Sequence, residues 1–141
     1  MIILITSRSG QGKSYFCRQF LKQLSADYFN NDLVRSQTAN QDFSMEGRLL
    51  AVKNMRRLVE QSSAEIKLVD MICPTKELRA VLKPDIIVFI DSDKPSKYPD
   101  TDAIYEKPSM LEAPYFFSCW TRQGDRLVDR LVMFLRQNPQ I

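Results

Sequence analysis

Residues 2–14 constrain this chain more than any other stretch. The apolar run Ile2-Ile3-Leu4-Ile5-Thr6 reads as a buried strand, and it leads directly into Ser7-Arg8-Ser9-Gly10-Gln11-Gly12-Lys13-Ser14. A helical pattern opens at the end of that octapeptide and runs over about residues 13–24, with Tyr15, Phe16, Phe20, Leu21 and Leu24 on its inner stripe. Strand, glycine-containing loop and helix, in that order, make a cradle for phosphate. Gly10 and Gly12 permit backbone conformations closed to other residues, so successive N–H groups can turn onto phosphate oxygens. The helix points the positive end of its dipole at the same anion. Lys13 is placed to reach the β- and γ-phosphates of ATP, and the Ser14 hydroxyl to ligate Mg²⁺. Ser9, Gly10, Gln11, Gly12, Lys13 and Ser14 are therefore the expected nucleotide-binding residues. One position departs from the usual Gly-x4-Gly-Lys-Ser/Thr spacing, because Ser7 stands where the first glycine is usual. A polar turn carrying Gly-Lys-Ser by chance would need neither the strand before it nor the amphipathic helix after it, so nucleotide binding is the preferred reading.

A length of 141 residues predicts a single domain, 1–141, with room for a genuine core but little for a large lid. The chain has no histidine, which excludes histidine acid–base chemistry, Ser-His-Asp triads and His-ligated metal sites. Twenty basic residues against 17 acidic ones leave a net charge of +3. That balance suits an anionic small molecule and is too mild to argue for nucleic acid. Cys17, Cys73 and Cys119 are odd in number and widely spaced, which predicts neither a disulfide framework nor a zinc site and fits a reducing cytoplasm. The apolar N-terminus is too short for a signal peptide, and no apolar run approaches the length of a membrane span. A soluble cytoplasmic protein without a membrane or nucleic-acid partner is expected.

Further along, apolar runs alternate with helical patterns, the signature of βαβ units and a parallel sheet. Residues 27–30 read as a short second strand, and residues 36–42 as a polar loop. Ser44 is a plausible cap for a helix reaching about Gln61, whose apolar positions are Leu49, Leu50, Val52, Met55, Leu58 and Val59. Most of its basic residues read as a solvated face, with Arg48 nominated for ligand contact. Residues 66–72 predict a third strand, Pro74 the first residue of a helix to about Leu82, and residues 86–91 a fourth strand, apolar on both faces. Residues 92–113 show no sustained period and are expected to form a shortened lid or binding segment. Residues 115–120 and a helix over about 125–136 complete the core. The expected architecture is α/β: a three-layer fold with a five-stranded parallel sheet flanked by helices.

In such a sheet ligands bind at the carboxyl ends of the strands. Asp32, Asp70 and Asp91 all fall there. Phosphoryl transfer to a hydroxyl needs Mg²⁺ near the phosphates and a carboxylate to orient the attacking hydroxyl or take its proton. Asp32 is the first choice for that carboxylate. Asp70, ending an apolar strand, is the candidate to hold Mg²⁺ through water, and Asp91 reads better as a cap. Taken singly, each could equally be a cap or a solvated side chain. Their convergence beside the phosphate loop favours the functional reading.

Several stretches together resemble the adenylylsulfate kinases, P-loop enzymes that transfer the γ-phosphate of ATP to the 3′-hydroxyl of adenosine 5′-phosphosulfate (APS), and most of all a short subgroup of kinase-like proteins. They are Ser9-Gly10-Gln11-Gly12-Lys13-Ser14; Asn31-Asp32-Leu33-Val34-Arg35, similar to the family's Gly-Asp-Asn-Val-Arg; Asp42-Phe43-Ser44-Met45-Glu46-Gly47-Arg48, similar to Gly-Phe-Ser-x-Glu-Asp-Arg; and Ile72-Cys73-Pro74, similar to Ile-Ser-Pro. Residues 102–108 match more faintly. The resemblance implies a P-loop kinase fold, ATP and Mg²⁺, a small-molecule acceptor and a role in sulfate assimilation. It implies that Asp32 is the catalytic carboxylate and that Arg35 and Arg48 hold the phosphosulfate anion, a task suited to bidentate guanidinium groups. Phe43 would stack on the acceptor's adenine, although by itself it reads equally well as a hydrophobic staple. Cys73 and Pro74 would line the acceptor site. The family often forms homodimers, for which no surface stripe in this sequence supplies an interface.

The departures are specific. Asn30 replaces the aspartate that opens the family's Asp-Gly-Asp, and Cys73 replaces a serine proposed to carry a phosphoryl group. The family's substrate-binding asparagine falls on Ala51, or on Asn54 if the helix is shifted by one turn. The basic lid is missing, leaving only Lys94, Lys97 and Lys107 before Pro108. Two alternatives therefore stay open: a kinase of another hydroxyl acceptor such as a nucleoside, nucleotide or sugar, and a nucleotide-binding regulator with little catalysis.

Overall fold

The computed structural model describes residues 1–92, 96 and 98–139. Five strands form one sheet, β1 (Ile2–Thr6), β2 (Asp27–Asn30), β3 (Lys67–Asp70), β4 (Ile86–Asp91) and β5 (Tyr115–Trp120). Their order is β2-β3-β1-β4-β5 and every pairing is parallel. The helices are α1 (Lys13–Leu21), α2 (Asn31–Gln37), α3 (Met45–Gln61), α4 (Lys76–Leu82), α5 (Pro99–Ile104) and α6 (Gly124–Gln137). The fold is the expected three-layer α/β arrangement.

The layers follow from the alternation of side chains along each strand. Ile3 and Ile5 of β1 pack with Phe16 and Phe20 of α1 and Leu127 and Leu131 of α6. Ile2 and Leu4 pack on the opposite face with Val52 and Met55 of α3 and Leu78 and Leu82 of α4. Burial on both faces is why β1 and β4 read as unbroken apolar runs. Each such side chain contributes about 1.5–3 kcal/mol on leaving water, so the sheet centre anchors the molecule.

Several boundaries differ from expectation. Helix α1 ends at Leu21 rather than near residue 24, where the amides of Gln23 and Leu24 turn back onto the Phe20 carbonyl at 2.9 and 3.0 Å. Tyr15 is not on its inner stripe. It is 47% exposed, and its hydroxyl donates to Asp125 Oδ1 at 3.0 Å. Residues 31–37, the first part of which carries the Asp32 motif, form α2, so the polar loop begins only at Thr38. The cap is Asn30, whose Oδ1 accepts from the amides of Asp32 and Leu33. Helix α4 begins at Lys76, with Thr75 capping it through a bond from the Leu78 amide, so Pro74 precedes the helix instead of opening it. Strand β3 is confined to Lys67–Asp70. The segment 92–113 contains α5, with Pro99 in its first turn. Lys94 and Lys97 lie outside the described residues. Among the described residues no helix is long and apolar enough to cross a membrane. The three cysteines are unpaired.

Candidate active site

One cavity of about 860 Å³ opens at the carboxyl edge of the sheet, within the range of small-molecule sites. Its floor is the loop leaving β1. Gly10 and Gly12 take φ angles of 73° and 98°, left-handed values that glycine adopts without strain. Gly12 is the N-cap residue of α1 and no side chain caps that helix, so its first-turn amides are available to an anion. Ser7 is absent from the left-handed residues, which explains why this position does not require glycine. It is fully buried, and its hydroxyl donates to the Arg8 carbonyl. Lys13 lines the cavity and has no carboxylate within ion-pairing distance among the described residues. The Thr121 hydroxyl bonds the Gln11 carbonyl at 3.4 Å and the Asp91 carbonyl at 3.2 Å, holding the loop against the exits of β4 and β5.

Beside the loop, strand register brings polar side chains together. Asp70 of β3 is aligned with Ile5 of β1 and with Asn30 of β2. Ser14 Oγ donates to Asp70 Oδ2 at 2.7 Å, Tyr28 donates to the same oxygen at 2.5 Å, and Asn30 Nδ2 lies 3.4 Å from it. Burial pushes the Tyr28 phenol up to about 12, with its bond to Asp70 adding to the effect. The donor set fits Mg²⁺. Ser14 and Asp70 supply hard oxygens at the end of the loop, and no group of three or more Asp, Glu, Cys or His is placed to hold a metal among the described residues. A cation held by so few protein ligands keeps its waters and takes phosphate oxygens, which is the habit of Mg²⁺.

The opposite wall is built by α2, the loop 38–44 and the start of α3. Asp32, Arg35, Phe43 and Arg48 all line the cavity. Asp32 is exposed in the first turn of α2. Arg35 is 8% exposed, and its Nη1 donates to the Asn40 and Asp42 carbonyls at 3.3 and 3.0 Å. Its guanidinium lies 4.4 Å from the centre of the Phe43 ring, and that of Arg48 lies 5.9 Å from it. Arg48 Nε donates to the Phe43 carbonyl at 2.8 Å, and Nη2 to Thr101 Oγ1 of α5 at 3.2 Å. Desolvation lowers the pKa of both guanidinium groups, and for Arg35 the Arg48 charge adds to it. Phe43 itself is 58% exposed, so this aromatic face is open rather than stapled into the core.

Cys73 and Pro74 form a third wall. Cys73 has a φ of 47°, and its carbonyl accepts from Arg79 Nη1 at 3.0 Å. Arg79 is held in turn by Glu112 through a buried pair at 2.7 and 3.3 Å. Burial pushes the Cys73 thiol up to about 12.

Apart from the Ala51 or Asn54 position, the cavity is lined by the residues nominated from the sequence for nucleotide, metal or acceptor. Ala51 and Asn54 are both buried and neither lines it; Val52 does. Asp91 stays outside the lining, accepting from the Ser92 amide and pairing with Lys107 at 3.3 Å. Sequence reasoning missed Tyr28, Asn40 and Thr101. Tyr28 carried one signal, a tyrosine two residues ahead of the strand's end. Nothing marked Asn40, whose buried amide bonds the Gly47 carbonyl, or Thr101, which is 6% exposed.

No family model matches the chain, and no curated protein does. Solved structures do share its fold. The APS kinase of Mycobacterium tuberculosis, in complex with AMPPNP and APS, superimposes with a TM-score of 0.73 at 18% identity, over 96% of each chain. A sugar kinase from Janibacter sp. HTCC2649 gives 0.72 at 13% identity, over 96% of this chain and 94% of that one. A shikimate kinase from Aquifex aeolicus gives 0.62 at 16%, over 99% and 98%. The α/β architecture described above is the one these kinases share.

Proposed function

We propose that this chain is an ATP-dependent kinase acting as one domain, which transfers the γ-phosphoryl group to the 3′-hydroxyl of adenosine 5′-phosphosulfate. One observation carries the reading. A phosphate loop with two left-handed glycines shares a single cavity with a carboxylate, two arginines and an open aromatic face. The loop amides and Lys13 would hold the β- and γ-phosphates, and Ser14 and Asp70 the Mg²⁺. When bound, that ion would offset charge on the bridging and transferring oxygens. Asp32 would orient the acceptor hydroxyl and take its proton as the new O–P bond forms and the bond to the ADP oxygen breaks. Phe43 would stack on the acceptor's base, while Arg35 and Arg48 would face its anionic group. The test is an assay with ATP, Mg²⁺ and APS. Formation of 3′-phosphorylated product is expected, and none under conditions where an adenylylsulfate kinase works would remove the acceptor assignment.

A second reading keeps the kinase and changes the acceptor. Arg35 and Arg48 already spend donors on the Asn40, Asp42 and Phe43 carbonyls and on Thr101, leaving less of each guanidinium for an anion. The sugar kinase also superimposes as well as the APS kinase does. Under this reading a nucleoside, nucleotide or sugar hydroxyl stimulates ATP turnover and APS does not. A screen of such acceptors separates the two.

A further inference from the structure

Asp70 is the carboxylate through which the proposed kinase would hold Mg²⁺, and its environment is built unevenly. All the hydrogen bonds given to its side chain converge on Oδ2, from Ser14, Tyr28 and Asn30. Oδ1 accepts none among the described residues. Tyr28 and Asn30 sit on β2, the edge strand, and the parallel register places Asn30 directly beside Asp70. Tyr28 and Asn30 also bond each other, with Asn30 Nδ2 donating to the Tyr28 oxygen at 3.2 Å. The same Asn30 side chain, through Oδ1, caps α2 by accepting from the amides of Asp32 and Leu33 at 2.9 and 3.3 Å. One asparagine thus links the Asp70 carboxylate to the backbone amides that open α2, that of Asp32 among them.

We propose that Tyr28 and Asn30 are positioning residues that hold Asp70 by Oδ2 so that Oδ1 is kept for the hydrated Mg²⁺ of a bound nucleotide. The inference rests on the nucleotide-binding reading of the loop. An aspartate carboxylate turns on two rotatable bonds and samples several orientations, all but one of which must be given up when a metal binds. Donors fixed on one oxygen make that restriction in advance. Charge-assisted bonds to a carboxylate are stronger than neutral ones, so the phenol and amide can enforce it. Outer-shell partners of this kind typically tune metal affinity by about 10–100-fold. The opposite role is also physically clear: a phenol on Asp70 could occupy the place of a metal-bound water and obstruct the ion. The two roles predict changes of opposite sign on removing the hydroxyl.

The experiment is calorimetric titration of the full chain with ATP, in excess EDTA and then across a Mg²⁺ series, for the wild type, Tyr28→Phe and Asn30→Ser. Phe keeps the ring and loses only the donor. Ser keeps an oxygen able to cap α2 and loses the reach to Asp70. Thermal melts verify that both variants fold. The wild type should bind ATP more tightly with Mg²⁺ than with EDTA. In Tyr28→Phe the Mg²⁺ concentration giving half of that gain should rise about 10-fold or more, with ATP affinity in EDTA unchanged, and Asn30→Ser should shift it the same way. A merely structural role would move both affinities together. An unchanged or lowered Mg²⁺ requirement in Tyr28→Phe overturns the proposal while leaving the nucleotide site intact. Absence of ATP binding in the wild type overturns the nucleotide-binding reading, and this inference with it.

Discussion

At Asp32 the proposed chemistry turns on one proton. Asp32→Asn keeps size and cap geometry and removes the acceptor, so turnover should fall about 10²–10⁴-fold while the affinity for Mg·ATP stays unchanged. Unchanged turnover would favour the regulator over the enzyme. Phe43 works differently, since its ring is exposed and lies against the Arg35 guanidinium at 4.4 Å. Phe43→Ala should raise the acceptor KM and leave the ATP KM alone, a split that steady-state kinetics resolves. Cys73 stands where the resembling family has a serine proposed to carry phosphate. With its thiol pushed up to about 12 by burial, it stays protonated at neutral pH, and the thiolate is the reactive form. The folded protein should leave Cys73 unalkylated by iodoacetamide at pH 7.5, and mass spectrometry should find it modified only after unfolding.

Between elements, the connection from α2 to α3 sets the acceptor wall. A Cβ at Gly47 would lie 2.2 Å from the Asp42 carbonyl oxygen, so α3 and the loop before it touch backbone to backbone. Gly→Ala in an open helix position gains about 0.5–1 kcal/mol. Here overpacking reverses the sign, and Gly47→Ala should destabilise the protein by about 1–3 kcal/mol in denaturant unfolding. The Arg79–Glu112 pair, with side chains 1% and 6% exposed, ties the segment after α5 to the Cys73 turn. Glu112→Ala strands a buried guanidinium and should cost about 3–5 kcal/mol. Legibility was best where local chemistry decides structure. β1 and β4 could be read from their unbroken apolar runs and α3 from its apolar period and its Ser44 cap, while β2 and β5 are short aromatic stretches with no buried residue. Helix α2 was missed because residues 31–37 are mostly polar and its cap, Asn30, looked like part of a loop. Tyr28 was missed because its bond to Asp70 is created by strand register, which no local pattern encodes.

For the whole molecule, the sheet places the site and the burial of its thiols and phenols sets a pH limit. Cys73, Tyr28 and Tyr105 are each pushed up to about 12, and Cys17 is raised as well, with burial first among the causes. A raised folded value means the native state holds its protons longer than the unfolded chain. The stabilisation is complete below the ordinary thiol value near 9 and is lost as pH climbs toward about 12. Urea midpoints should be level from pH 7 to 8.5 and fall steadily above pH 9; a rise there would contradict the burial described. On the site itself, α5 reaches Arg48 through Thr101, whose hydroxyl oxygen accepts from the guanidinium at 3.2 Å. The central claim concerns the turn after β1, and calorimetry with Mg·ATP on the wild type and Lys13→Ala tests it most directly. Saturable heat in the wild type, lost in Lys13→Ala while the melting temperature is kept, is the predicted result. No heat in the wild type, or equal heat in the variant, would contradict it.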